Sequence, residues 1–383
     1  MDDKKEFRIY ALSQDPVYIG TGGYTIGRVD NTIVRDPITR IPKIPGSSLA
    51  GSWRYYTALT LQGFLKKEFV RIRQILYNSN VYKETDVRGL VNRLADDELN
   101  EKDKKNFDKR KDKFMDYSSK LRNGMEGRTG DWQMYWGNLI SSIKCAGQDE
   151  RPNEDLCKVD NIELQDTGHC GHCLVCKAFG FSKTESQQGR VFFSDLNILF
   201  FPVSTRFGVR WVTSPDILRF AGFDVENIDE KTLEGGVVVS REAAEEGFLN
   251  LGWINLKVRK KEDFTKLDCM GSEIKELIQN KIVLVPDSII SQIINANLEV
   301  RTSVSINPLT GAAKEGALFT SEAIPRGTIF SSDIRIMDRL VDGEVLSISL
   351  IEEALKDSKI YYENFGIGGM ATRGFGRLKI YFD

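Results

Sequence analysis

Histidine is nearly absent from this sequence: two residues in 383. Both fall in one short stretch, HCGHCLVC, as His169 and His172 among three cysteines. Histidine is the usual acid–base group at neutral pH. With both spent beside cysteines, none remains for a general base or a nucleophilic dyad elsewhere. A charge excess is missing as well. Lys and Arg total 53, Asp and Glu 55, and the net charge is −2. Bulk electrostatics therefore gives no case for nucleic acid, and any basic footprint must be local. No apolar run is long enough to span a bilayer, and the opening MDDKKEF is charged, unlike a secretory signal. The expected location is the cytoplasm, with no membrane partner. In a reducing compartment the six cysteines are not expected to form disulfides. Length and 41% hydrophobic content fit two ordinary domains or one elaborated core with insertions.

The cysteines are clustered. Cys157, Cys170, Cys173 and Cys176 lie close together, while Cys145 and Cys269 stand apart. Gaps of two residues let a tight turn aim two thiolates at one ion, and tetrahedral zinc takes four such ligands. A closed set would be structural, with no position left for water. His169 or His172 could replace one cysteine. A ferredoxin-type cluster would need a further cysteine three residues on, before a proline; position 180 is Gly180, which disfavours iron–sulfur. Unligated buried cysteines are the bland alternative.

Along the chain, EFRIYALS alternates Phe7, Ile9 and Ala11 against Arg8, Tyr10 and Leu12 and predicts a strand. A glycine- and proline-rich stretch follows, up to Ser47 or Ser48, either of which can cap a helix. Leu49, Trp53, Tyr56, Thr60 and Phe64 then share one helical stripe. Residues 80–145 change character. EKDKKNFDKRKDK is almost wholly charged with mixed signs, as in a solvated helical excursion inserted in the core. GRVFFSDLNILFFPV is strand-like. WVTSPDILRF carries a helix start, with Ser214 as cap and Pro215 at the first helical position. RTSVSINPLTGAAKEGALF predicts two strands around a Pro-Leu-Thr-Gly turn, a projecting hairpin. The end, FGIGGMATRGFGRLKIYFD, is a glycine-rich loop entering a final strand.

Two glycine-rich segments are locally basic. IPGSSLAG sets Gly46, Ser47 and Ser48 at a helix start, where unpaired N–H groups and the dipole attract an anion. Arg28, Arg35, Arg40, Lys43 and Arg54 surround it and outnumber Asp30 and Asp36. GIGGMATRGFGR places Gly368, Gly369 and Gly374 around Arg373. Glycine permits close backbone approach and arginine pairs with phosphate. No GK[ST] follows, so this is no P-loop. For each segment alone, plain capping or turn geometry is an adequate reason. Two such segments in one nearly neutral chain point to a nucleic-acid groove rather than a mononucleotide pocket.

These residues also carry a resemblance. VYIGTGGYTIGRVDNTIVRDPITRIPKIPGSSLAGSWR resembles the opening of the backbone subunits of type III CRISPR effector complexes, the Csm and Cmr assemblies of the RAMP superfamily. CLVCKAFGF, ILFFPVSTRFGVRWVTSPDILRF, SINPLTGAAKEGALFTSEAIPRGTIF and GIGGMATRGFGR are similar to the same family. The resemblance covers both ends and the middle; the 80–145 segment lies outside it. It implies an α+β fold with a ferredoxin-like, RRM-type core. The expected layout has residues 1–79 and 191–383 forming that core, a helical insertion at 80–145 and a zinc-binding segment at 146–190. A thumb hairpin is implied at about Arg301 to Phe330, wedging between stretches of guide–target duplex. The implied partners are guide crRNA, target RNA and other effector subunits. Arg28, Lys43, Gly46, Ser47, Ser48, Arg54, Arg301, Gly368, Gly369, Arg373 and Gly374 are the candidate RNA contacts. The resemblance further implies cleavage of target RNA by the aspartate in the first glycine loop, which is Asp30, with Mg2+ or another divalent ion as a candidate cofactor. From the residues alone, Asp30 and Asp36 both read as turn residues. A non-cleaving scaffold with the same groove is the alternative. A guide-processing endoribonuclease would want a histidine, and a zinc-dependent DNA reader would want a recognition-helix pattern that is missing.

Overall fold

The computed structural model describes residues 4–22, 29–60, 146–147, 174–182, 186–223, 233–240, 247–262, 270–338 and 348–383, with side chains at 315–317 excepted. The insertion at 80–145, Arg28, His169, His172, Cys157, Cys170 and Cys173 lie outside the described residues. Two compact units share the chain. One comprises Met1–Lys5, Ala50–Phe192 and Arg335–Lys359; the other comprises Glu6–Leu49, Phe193–Ile334 and Ile360–Asp383.

In the second unit the segment EFRIYALS forms β1 (Lys4–Ser13). The expected two-faced alternation holds only at its start. From Ile9 onward every residue is buried, because β1 lies between two neighbours inside a sheet covered on both sides. The remaining strands of the chain are β2 (Lys43–Ile44), β3 (Gly180–Phe181) and β4 (Gln187–Gln188), these last two in the first unit, β5 (Val191–Phe193), β6 (Leu196–Thr205), β7 (Gly208–Thr213), β8 (Gly236–Ser240), β9 (Phe248–Leu251), β10 (Ile254–Glu262), β11 (Ile282–Leu284), β12 (Glu299–Ile306), β13 (Ala313–Ala323), β14 (Ile329–Met337) and β15 (Leu378–Phe382). The main sheet runs β15-β1-β14-β6-β7-β11-β8-β10-β9, with β2 added to β6 and β5 to β14. β1 pairs antiparallel with β15, Ala11 opposite Ile380, and β14 pairs antiparallel with β6. The core of this unit gathers Tyr10, Leu12, Leu199, Phe200, Trp211, Ile274, Ile278 and Ile329.

β12 and β13 form a separate two-stranded sheet. Its tip is closed by Asn307, whose N–H donates to Ala312 O (2.8 Å) and whose carbonyl accepts from Gly311 (2.9 Å). The hairpin is therefore Glu299–Ala323, not residues 301–330. Ile324 bridges to Val17, and Phe330 is fully buried in β14. The apolar content of 324–330 serves the main sheet, which sequence patterning does not distinguish from a hairpin arm.

Both proposed serine caps need correction. The helix of residues 46–60 starts one residue earlier, with Pro45 O accepting from Leu49 N (3.1 Å). Its first N–H, from Gly46, donates to Asp195 Oδ1 (2.8 Å), so a distant carboxylate caps it rather than Ser47 or Ser48. At the helix Pro215–Phe220, Ser214 holds the cap position but its side chain makes no cap hydrogen bond. There the Asp216 N–H donates instead to Asp287 Oδ1 (3.0 Å).

In the first unit, Trp53 is fully buried and its indole N–H donates to Leu355 O and Ser358 Oγ, both at 3.1 Å. This ties the predicted stripe to the helix Ile348–Ser358. Cys176, on the helix Leu174–Phe179, packs with Ala58 and Val175. Among the described residues no helix is long and apolar enough to cross a membrane.

Candidate nucleic-acid interface

Residues Val17–Thr21 organise the candidate site. Val17 exchanges hydrogen bonds with Ile324 (2.8 and 2.9 Å), at the end of β13. Ile19 O accepts from Val34 N (2.9 Å), which folds the Asp30 loop back on it. Tyr18 O accepts from Gly369 N (3.0 Å), which brings in the C-terminal glycine loop. The two glycine-rich segments, far apart in sequence, thus flank one short stretch of chain.

Asp30 is exposed, while Val29 and Ile33 beside it are buried and fix the loop. Its carboxylate reaches the hairpin. The Thr320 N–H donates to Asp30 Oδ2 (2.7 Å) and the Thr320 hydroxyl to the same oxygen (3.0 Å). The Asp30 N–H in turn donates to Thr320 Oγ1 (3.1 Å). These donors, the Thr320 N–H first and its hydroxyl second, hold the Asp30 carboxyl below its ordinary range. The group stays ionised and is a weak base. Among the described residues Oδ1 has no partner.

The face of the hairpin that carries Thr320 follows from the register. Thr302 lies opposite Thr320 and Val304 opposite Leu318, so with strand alternation the four share one face. Val304 and Leu318 are 44% and 66% exposed, and Leu309 at the tip is 93% exposed. This apolar surface lies on the strand that bonds Asp30.

Asp36 behaves differently. Its Oδ1 accepts from the N–H groups of Ile38 and Thr39 (both 2.9 Å), and Lys43 bonds Oδ2 (3.1 Å). The Thr39 N–H is the main cause of a pKa lowered to about 2, with Lys43 and the Ile38 N–H adding to it. This is the turn role expected of Asp36. Lys43 also pairs with Asp195 (2.7 Å), and its side chain is 16% exposed. It is thereby committed inside the protein. Gly46 is equally enclosed: a Cβ there would lie 2.5 Å from Phe193 O. The N–H expected to attract a phosphate already holds Asp195. Ser47 and Ser48 follow in the same first turn, and Ser48 N–H donates to Pro45 O (3.0 Å). Arg54 donates to Gly180 O (2.7 Å) in the first unit. Arg35 pairs with Glu322 (2.8 Å) and donates to Asn295 Oδ1 (2.9 Å).

The C-terminal loop closes on itself. Ile367 N–H donates to Gly376 O (2.8 Å), and Gly376 N–H to Pro16 O (2.8 Å). A Cβ at Gly366 would stand 2.5 Å from the Gly376 carbonyl carbon, and Gly366, Gly368 and Gly376 all have positive φ. These glycines let the chain approach itself rather than leave room for a ligand. Gly368, Gly369, Arg373 and Gly374 are nonetheless exposed, and among the described residues the Arg373 guanidinium has no partner. Arg301 lies over the Phe375 ring (4.7 Å), pairs with Glu299 (2.6 Å) and donates to Gly374 O (3.3 Å). It joins the hairpin base to the loop. Arg377 pairs with Asp15 (2.9 Å). The Asp15 carboxyl is held low by Arg377 first, with Arg301 and Arg326 adding their charge. Sequence reasoning missed Thr320, Asp195 and Arg326; Thr320 and Arg326 lie within the family-like hairpin stretch, but only the fold sets them beside Asp30 and Asp15.

Among the described residues no group of three or more His, Cys, Asp or Glu is placed to hold a metal. Asp30 offers one carboxylate oxygen, which suits a magnesium ion only if RNA phosphate supplies further oxygens. Of the candidate zinc ligands, only Cys176 is described.

This geometry fits a fold built around two glycine-rich segments and a hairpin. The chain belongs to the RAMP superfamily, whose family model it matches over residues 13–379. It is 29% identical over 223 residues to the CRISPR system Cmr endoribonuclease Cmr4 of Pyrococcus furiosus, spanning 54% of this chain and 74% of that protein. A shorter match, 52% identical over 40 residues, covers 10% of this chain and 19% of the endoribonuclease Csm3 of Enterococcus italicus. Among solved structures it is similar to a chain of the type III-B Cmr-beta complex in its apo state, at TM-score 0.48 and 14% identity, covering 98% of this chain and 96% of that one. A crystal structure of Cmr4 gives TM-score 0.47 and 18% identity over 99% of each chain.

Proposed function

We propose that this chain is a guide-crRNA-binding backbone subunit of a type III CRISPR effector complex and cuts complementary target RNA at Asp30. The observation that carries this is the bond between Asp30 and the hairpin. One ionised carboxylate sits at the root of an arm whose outer face offers exposed Thr302, Val304 and Leu318. Bases resting on that face would bring the adjoining phosphodiester to the carboxylate. The relatives named endoribonucleases support the activity. We read the strand order β15-β1-β14-β6, with β1 and β14 central, as that of a ferredoxin-like core. Exposed Arg373 is the proposed guide-phosphate contact, with the exposed Gly368 backbone beside it; the N–H groups of Gly369 and Gly374 are already held by Tyr18 O and Ala371 O. Zinc at Cys157, Cys170, Cys173 and Cys176 remains part of the proposal.

The chemistry asks little of the protein. The 2′-oxygen of one nucleotide bonds to its neighbouring phosphorus as the P–O5′ bond breaks; the 2′-hydroxyl gives up a proton and the departing 5′-oxygen takes one. A divalent ion held by Asp30 Oδ1 and RNA phosphate would neutralise charge on the phosphate. The depressed pKa of Asp30 makes proton abstraction its weaker role. Its fixed charge and position are what it contributes. The test is end-labelled target RNA added to the assembled complex with magnesium present. Asp30→Ala should cut about 10²–10⁴-fold more slowly, with guide binding intact. Asp36→Asn, which keeps the turn acceptor, should cut normally. Cutting by Asp30→Ala at the wild-type rate would sink the assignment. A wild type that never cuts a matched target would favour the non-cleaving scaffold.

A further inference from the structure

The Asp30 loop and the hairpin strand are zipped together over several residues. Asn31 and Ser321 form a parallel bridge. Asn31 N–H donates to Thr320 O (3.0 Å), and Glu322 N–H donates to Asn31 O (3.0 Å). Asn31 Nδ2 reaches Ser321 Oγ (3.3 Å), and Glu322 carries the ion pair to Arg35. Within this seam, one contact acts on the carboxylate itself. Thr320 gives Asp30 Oδ2 two donors and receives the Asp30 N–H, which restricts the side chain and leaves Oδ1 outside this contact.

We propose that Thr320 is the positioning residue of the cleavage site: its hydroxyl and N–H hold one oxygen of the Asp30 carboxylate, so the seat of hairpin strand β13 sets where the other oxygen points. This rests on the cleavage role given to Asp30 above. Thr320 touches no reacting atom; it acts through Asp30. The consequence is mechanical coupling. RNA that lodges against Val304 and Leu318 loads the strand that carries Thr320, and through the seam it loads the Asp30 loop with it. A correctly seated duplex and a correctly aimed carboxylate become one event.

The hydroxyl can be removed without disturbing the strand, because valine is nearly the same shape and favours strands equally. Thr320→Val and Thr320→Ser are compared with wild type and Asp30→Ala in the complex assembled with guide RNA. Target affinity is measured by filter binding and the cutting step by single-turnover kinetics at saturating complex. Thr320→Val should cut about 10–100-fold more slowly, the range for loss of a group that orients a reactive ligand, with target affinity and melting temperature unchanged. Thr320→Ser restores the hydroxyl and should recover most of the rate. A purely structural Thr320 would lower affinity or stability and leave the single-turnover rate alone. If Asp30→Ala is dead and Thr320→Val cuts at the wild-type rate, the positioning claim fails while the cleavage assignment stands. Equal loss in the Val and Ser variants also overturns it, since the hydroxyl would then not matter. If Asp30→Ala cuts normally, both claims fall together.

Discussion

Lys43 separates two roles that basic residues take near RNA. Its side chain is 16% exposed and pairs with Asp195 at 2.7 Å and Asp36 at 3.1 Å. Lys43→Met keeps the apolar stem and removes only the charge. Each ion pair is partly exposed, so after solvent screening we assign about 1 kcal/mol to each, roughly 2 kcal/mol in total. That is a change of up to about 30-fold in the unfolding constant, readable by urea titration. The pH dependence follows from the signs. Asp36, lowered to about 2 in the folded protein with Lys43 among the causes, stabilises the fold above its unfolded value of about 3.9. The gap between wild type and variant should therefore be full at neutral pH and close as pH falls through that window. Lys43, raised chiefly by Asp195, stabilises the fold below its unfolded value of about 10.4, so the gap should also close in strong alkali. A lysine already held by two carboxylates releases no counterion from RNA, and the salt slope of guide binding should not change. A variant of wild-type stability whose slope falls by about 1 would refute this reasoning and return Lys43 to the RNA contacts.

Arg373→Ala should do the opposite of Lys43→Met: unchanged stability, and a guide-binding salt slope smaller by about 1, measured by filter binding across salt concentrations. Purified protein should contain about one zinc per chain by elemental analysis, and Cys173→Ser should lose it and melt at a lower temperature; metal-free protein of equal stability would end the zinc assignment.

Much of this site was legible in the sequence where the signal was local. Asn307-Pro308-Leu309-Thr310-Gly311 marks the hairpin turn because those residues set their own backbone and its hydrogen bonds. Asp36 is recognisable as a turn residue for the same reason: its partners are two, three and seven residues away. The partners of Asp30 and Gly46 are not local. Thr320 stands 290 residues from Asp30 and Asp195 stands 149 from Gly46, and neither carries a pattern that announces its partner. The end of the hairpin was misplaced because 313–323 and 329–337 are both strand-forming runs, and only pairing decides which belongs to the arm and which to the core. The glycines were seen, but what fills the space beside them is the chain itself.

The closed C-terminal loop bears on how quickly and how uniformly a guide can be gripped. Ordering one flexible residue costs about 1–2 kcal/mol, and a slack loop would meet that cost on binding. Here Gly366 and Gly376 are already back to back and Gly369 is already bonded to Tyr18. In the reading proposed above, the exposed Gly368 backbone and Arg373 would meet a phosphate prearranged, so the association would have little entropy left to lose. A rigid cradle of this kind would accept one backbone path and reject others, and under the proposed function the loop would gauge the shape of the guide as much as its charge.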